Sequence, residues 1–342
     1  MSERDDHADD ALRAGLLDRV GKPMSASGPA VAPDPVNLPM IRHWVDALDD
    51  RNPVYLDEVA GAATRFGGIV APPAMLQVWT MGRPRIEGIA ARGGAADDID
   101  PDSPVSLLAA AGFRGTLATN SELEFHRYLH IGDHLSSSTA LESISALKGT
   151  AIGVGYFVTW VTTYADAEGA VVGTQRFRIF KFDPTRSAAD LPPRPPPDPS
   201  AEADAGPPPE KVPGEALPPF DLDVTATVVV AGAIASRDFM PVHHDRNYAQ
   251  AQGAPDIFMN ILTTNGYVAR FVTDWGGPHT VLRRIAIRLG GPAIPGQVLR
   301  FTGAVTDRRI SGDEMVLEVT LRAANDLGDH ATGTVELTLP AP

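Results

Sequence analysis

The sequence predicts an α+β protein made of two copies of one unit, each a central helix followed by an antiparallel sheet. Three observations lead there. Each half holds four stretches in which apolar and polar residues alternate with period two, the mark of half-buried strands. A mostly apolar helical segment precedes those stretches in both halves. Between the halves, Pro192 to Pro219 holds 12 of the 31 prolines, lacks apolar periodicity and is short of backbone donors. It reads as a semi-rigid spacer.

The elements follow in order. Residues 1–30 form a polar N-terminal segment in which Ala11 to Val20 is amphipathic and predicts a peripheral helix. The first unit spans residues 31–186. Ile69 to Trp79 is its helical candidate, with Pro72 and Pro73 near the start. Arg85 to Ser106, rich in Gly, Ala and Asp, reads as a surface loop with little fixed structure. Strands are predicted at Glu122 to Phe125, His134 to Glu142, Gly153 to Tyr164 and Val171 to Phe182. Residues 187–217 are the linker, and the second unit is 218–342. There Ile257 to Trp275 is the helix, and Arg284 to Leu289, Val298 to Val305, Glu314 to Ala323 and His330 to Leu339 are the strands. Short details repeat as well: YLHIGDHL from Tyr128 matches PAIPGQVL from Pro292, and DAEGAVVGT from Asp166 resembles DLGDHATGT from Asp326. A repeat of this length is a duplicated domain, not a solenoid.

Composition excludes several functions. The 342 residues carry 29 Lys and Arg against 43 Asp and Glu, a net charge of −14. That balance opposes broad binding to nucleic acid or to an anionic membrane, but leaves room for a local basic pocket holding a phosphorylated small molecule. Cysteine is absent, which removes disulfides, thiol catalysis and Cys-containing metal sites. No apolar run approaches the ~20 residues of a membrane span. The acidic start MSERDDHADD is unlike a signal peptide, so a cytoplasmic location is expected. His126, His130 and His134 are spaced for a helical metal face, but Ile131-Gly132-Asp133 between them is a turn, so no metal is expected. No phosphate-binding glycine fingerprint is present. His330, just after a turn, is expected to face solvent.

The chemistry concentrates in Ser236-Arg237-Asp238-Phe239-Met240-Pro241-Val242-His243-His244-Asp245. An Asp and a His five apart, with a proline turn between, can converge on one water, one accepting its proton and the other holding it. Asp238, Pro241, His243 and Ala249 fall at the spacings of the motif Asp-x-Asn-Pro-x-His followed by five residues and a small one; Met240 replaces the Asn. With the duplicated frame around it, the chain resembles the MaoC-like (R)-specific enoyl-CoA hydratases, the hydratase 2 family. Within them, GAIASRDFMPVHHD, DIFMNILTT and VTDWGGP look like the catalytic subunit of actinobacterial hydratases that degrade steroid side chains. The first unit looks like the MaoC-like part of their partner subunit.

The resemblance implies a double hot-dog fold, with the two subunits fused through the linker. It implies hydration of an α,β-unsaturated acyl-CoA, a steroid with a shortened side chain, with linear fatty or polyketide thioesters as the alternative substrates and a silent acyl-CoA-binding scaffold as the alternative role. Hot-dog thioesterases generally lack this Asp-to-His spacing. Asp238 becomes the main acid/base and His243 its partner. The backbone N–H of Asn260, where the family has a Gly, becomes the donor to the thioester oxygen, and His244 a group that could orient substrate. No metal or redox cofactor is implied, CoA being part of the substrate. Arg270, Arg283, Arg284, Arg288 and Arg300 form the dense basic region, from which none is singled out for CoA. A homodimer is expected. A downstream aldolase is a further candidate partner, but the DUF35 domain that recruits it in related subunits has no counterpart here. The first unit has Asp50, Asn52 and Pro53 but Tyr55 in place of His, and Pro72, which lacks an N–H, at the oxygen-binding position. It is expected to be non-catalytic and to shape the acyl pocket, its helix lying back to leave a broad apolar cavity.

Overall fold

The computed structural model describes residues 11–25, 27–92, 100–187, 189, 191 and 214–341. The helices are α1 (residues 11–17), α2 (Leu38–Leu48), α3 (Glu58–Ala62), α4 (Ile89–Arg92), α5 (Pro104–Ala110), α6 (Ala226–Ala235), α7 (Arg246–Ala251) and α8 (Ile261–Gly276). The strands are β1 (Ala30–Val31), β2 (Gly115–Phe125), β3 (Ser136–Ile144), β4 (Lys148–Thr150), β5 (Gly153–Ala165), β6 (Val171–Asp183), β7 (Phe220–Val224), β8 (Val281–Leu289), β9 (Gln297–Ser311), β10 (Glu314–Asn325) and β11 (Gly328–Pro340).

The strands form one continuous sheet in the order β1-β3-β5-β6-β2-β8-β11-β10-β9-β7, with β4 on β5. Outward from the β2–β8 seam the order mirrors itself, β6 answering β11, β5 answering β10, β3 answering β9 and β1 answering β7. Antiparallel pairing of Asn120–Glu124 with Arg288–Arg284 joins the units. Their alternating sequences place apolar side chains on one face, which the helices cover. The larger core there includes Trp44, Leu48, Tyr267, Phe271 and Phe301; a smaller one gathers Leu16, Leu108, Phe113, Tyr156 and Val158 under α1 and α5.

α8 is the central helix of the second unit. Two glycines allow its close neighbours. A Cβ on Gly266 would strike Leu48 and Trp44 of α2, and one on Gly232 of α6 would strike Thr263. Both helices therefore lie directly on α8.

Three expectations need correction. Ile69 to Trp79 does not form a helix: it contains two 3-10 turns, Pro73–Met75 and Val78–Thr80. Pro72 offers no side-chain cap, and Gly82 and Pro84 follow after too few residues for a helix to sustain itself. Arg85 to Ser106 is not all loop, because α4 and the start of α5 lie within it, and Leu108 of α5 is fully buried. His330 is 2% exposed, not solvent-facing, because β11 directs it toward α8. Most of the proline-rich linker, residues 192–213, lies outside the described residues. In its last part, Gly214 and Leu217 N–H donate to the Val305 and Gly303 carbonyls of β9.

Candidate active site

The site is built from the end of α6, the turn after it and the start of α8. α6 stops in a Schellman arrangement: Arg237 N–H donates to the Ile234 carbonyl and Asp238 N–H to the Ala233 carbonyl. Arg237 adopts φ 59°, a left-handed conformation that glycine would take without cost. The reversal delivers Asp238. Its Oδ1 accepts from Met240 N–H at 3.3 Å, and Pro241–His243 form a 3-10 turn that raises His243 opposite it.

His243 Nε2 lies 3.4 Å from Asp238 Oδ2, with side-chain exposures of 8% and 16%. The His243 Nδ1–H donates to the Phe258 carbonyl at 2.7 Å, and Phe258 packs edge-on against the ring at 5.1 Å. That bond commits Nδ1 and turns Nε2 to the carboxylate. One water can bond to both groups there.

Asn260 closes the cluster. As N-cap of α8, its Oδ1 accepts from Thr263 N–H at 2.8 Å. Its Nδ2 donates to Ser236 Oγ at 2.8 Å and to Asp238 Oδ2 at 3.0 Å. Burial by itself raises the Asp238 carboxyl, but His243, Met240 N–H and Asn260 outweigh it and hold the group below the usual carboxylate range. Asp238 is thus an ionised base. Among the described residues the Asn260 N–H has no hydrogen-bond partner, and it stands at the positive end of a 16-residue helix.

His244 is not drawn into this cluster. It is exposed, and its Nε2 donates to the Phe239 carbonyl at 3.1 Å. His330, expected at the surface, is instead buried beside α8. Its Nδ1–H donates to the Gly291 carbonyl and its Nε2 accepts from Thr264 Oγ1, both at 2.9 Å, pinning the first turn of α8 to β11. Burial lowers its pKa, so it holds this tautomer neutral. The side chain of Asn260 was missed by sequence reasoning, although an Asn just before an apolar helix is an N-cap signal.

The first unit keeps the same backbone. Asp49 takes φ 48°, Asp50 Oδ1 accepts from Asn52 N–H at 3.0 Å, and Pro53–Tyr55 form the matching 3-10 turn. Val70 and Ala71 N–H bond to Val54 and Leu129 carbonyls as Phe258 and Met259 bond to Val242 and Ala293. Pro72 therefore stands at the position of Asn260. Tyr55 is buried and Asp50, desolvated, is pushed up to about 6. His126 and His134 contact the backbone carbonyls of Val171 and Ala32 respectively. Among the described residues no three His, Asp or Glu side chains gather as metal ligands.

Duplicated, sheet-continuous and carrying one intact Asp/His site, the chain has the double hot-dog architecture. A solved MaoC-like dehydratase matches it over 96% of this chain and 100% of its own, with a TM-score of 0.68 at 20% identity. Residues 30–175 match the FAS1-like dehydratase domain region and residues 211–326 the MaoC like domain. The beta subunit of the 3-oxo-4,17-pregnadiene-20-carboxyl-CoA hydratase of Mycobacterium tuberculosis is 44% identical over 126 residues, 37% of this chain and 95% of that subunit. The chain belongs to the MaoC-like family. Its alpha-subunit relatives are a probable enoyl-CoA hydratase alpha subunit of Thermomonospora curvata, 47% identical over 45% of this chain, and the M. tuberculosis pregnadiene-carboxyl-CoA hydratase alpha subunit, 41% identical over 50%. The chain spans about half the length of these two, 47% and 52%. One polypeptide thus resembles proteins that elsewhere are separate subunits.

Proposed function

We propose that the protein is an enoyl-CoA hydratase acting on a steroid acyl-CoA with a shortened side chain. The observation that carries this reading is the cluster Asp238–His243–Asn260 at the N-terminal end of α8. The thioester oxygen accepts the free Asn260 N–H, which draws electrons from the β-carbon and stabilises the enolate as it forms. Asp238 takes a proton from the water it shares with His243, the water oxygen bonds to the β-carbon, and the alkene electron pair moves toward the thioester. The proton returns to the α-carbon on the same face. Oxidation state is unchanged overall, so the reaction calls for no redox partner and is written without a metal. The substrate class is supported by the relatives' names and by the two 3-10 turns that stand in the first unit in place of a central helix. A homodimer in solution is part of the same reading, and sedimentation velocity tests it.

Loss of alkene absorbance on mixing with an enoyl-CoA measures the activity. Asp238→Asn and His243→Ala should each fold normally and lower turnover at least about a hundredfold, the usual scale for an acid/base group. Near-normal rates in both variants would remove the assignment.

A further inference from the structure

The face of the sheet opposite α8 carries a second polar feature, formed at the seam between the units. Strand register aligns one residue from each of six neighbouring strands: Ser143, Thr159, Arg178, Asn120, Arg288 and Thr332. All six carry hydrogen-bonding side chains. Ser121, one position from Asn120, points the other way and accepts from Asn265 of α8 at 3.1 Å, so the row lies across the sheet from the Asp238 site. It lines a groove of about 540 Å³, within the usual range of small-molecule sites.

Among the described residues neither arginine of this row has a carboxylate within ion-pair distance. Arg178 lies over the Phe157 ring at 4.3 Å, and its Nε is buried without a hydrogen-bond partner. Burial and the charges of Arg176 and Arg288 lower its pKa. Among the described residues Arg288 has no carboxylate within ion-pair distance, whereas Arg176 nearby pairs with Glu142 at 2.6 Å and Arg284 pairs with Glu122. Glu122 also lines the groove, but Arg284 holds it in an ion pair. In a chain with 14 more acidic than basic residues, Arg178 and Arg288 converge on this surface with no carboxylate within ion-pair distance among the described residues. Two strand spacings set their Cα atoms about 10 Å apart, a span that flexible guanidinium arms close around a group with charge at both ends.

We propose that this groove is a binding site for a small molecule bearing a diphosphate group, held between Arg178 and Arg288, with Asn120 and the row's hydroxyls as further donors. It is separate from the acyl-CoA site.

Inorganic pyrophosphate is the probe, titrated calorimetrically at fixed ionic strength, with acetate as the monovalent control. Saturable binding of pyrophosphate but not acetate is expected, weakened at least tenfold in Arg178→Gln and, separately, in Arg288→Gln. Arg178→Lys, which keeps the charge and loses the fork, should fall between. The exposed, paired Arg300 serves as a control, and Arg300→Gln should bind as the unaltered protein does. Hydration rates and KM for the acyl-CoA should be unchanged in every variant. Absence of saturable binding, or equal binding by both Gln variants, overturns the proposal. So does a KM for acyl-CoA that rises with the loss of pyrophosphate binding, because the groove would then seat the phosphates of CoA. Native dimers that both Gln variants split would make the row a protein interface and equally overturn it.

Discussion

Asn260 joins three structures through one side chain: the cap of α8, the end of α6 at Ser236, and the carboxylate of Asp238. Asn260→Ala should cost about 1 kcal/mol of stability from the lost cap. It should also let the Asp238 pKa rise, since one of the groups holding it down is gone, and the acid limb of kcat/KM should move to higher pH. Asn260→Ser keeps a capping oxygen with a shorter reach, so it should recover stability while leaving the limb shifted. A merely structural Asn260 would recover both. Asp50 behaves in the opposite sense. Its folded pKa of about 6 exceeds the ordinary 3.8, so the native state binds the proton more tightly. Its contribution to stability is full below the unfolded pKa and is lost as pH rises through about 6; above that the buried charge costs about 1–3 kcal/mol. Asp50→Asn still offers an oxygen to Asn52 N–H. It should raise Tm at pH 8 and flatten the decline between pH 4 and 7, read by thermal denaturation across that range.

At the scale of elements, the short β1, β4 and β7 were not read, and β2 was read only over its last four residues. The four longer strands of each unit were otherwise legible because half-buried strands write their period into the sequence. So was α8, whose apolar length has no competing signal. Residues 69–81 were not. Their apolar pattern fits a helix, but pattern reports burial rather than main-chain conformation, and tertiary contacts bury Met75, Val78 and Trp79 in two 3-10 turns. At the residue level, Tyr55 in place of His and Pro72 at the donor position were marked by the resemblance to the family motif. The fate of His330 depended on which way β11 faces, and the Arg178–Asn120–Arg288 row depended on register across non-consecutive strands, neither of which spacing along one chain encodes. The matching turn in the first unit keeps its backbone bonds while holding a buried Tyr55, a geometry preserved for packing. Tyr55→Phe should accordingly change turnover far less than His243→Ala. A loss as deep as that of the His243 variant would show that the first unit takes part in the chemistry.

At the scale of the molecule, fusion and asymmetry act together. The seam is tied by the β2–β8 ladder, by the Arg284–Glu122 ion pair and by Tyr128, whose hydroxyl accepts from Leu282 N–H at 2.9 Å. Covalent linkage adds a high effective concentration of one unit for the other, so both units are present in every molecule. The halves then divide the labour. The second has the 16 residues of α8 at its centre and the Asp238/His243 pair beside it; the first has two short turns where a central helix was expected, with α1 and α5 covering another part of its sheet. A helix with its side chains is about 10–12 Å across, and the steroid reading takes the two turns to leave more width for an acyl group than such a helix would. A fused-ring system needs that width and a linear chain does not. The ranking of kcat/KM should place a steroid enoyl-CoA with a shortened side chain at least about tenfold above crotonyl-CoA and longer linear enoyl-CoAs, measured in parallel by alkene absorbance. Helix-restoring changes in residues 69–81 should erode the steroid rate while sparing the crotonyl rate, because they fill width without touching Asp238 or His243. If the linear substrates are preferred instead, the acid/base chemistry at Asp238 and His243 stands, and the missing helix must serve something other than substrate width.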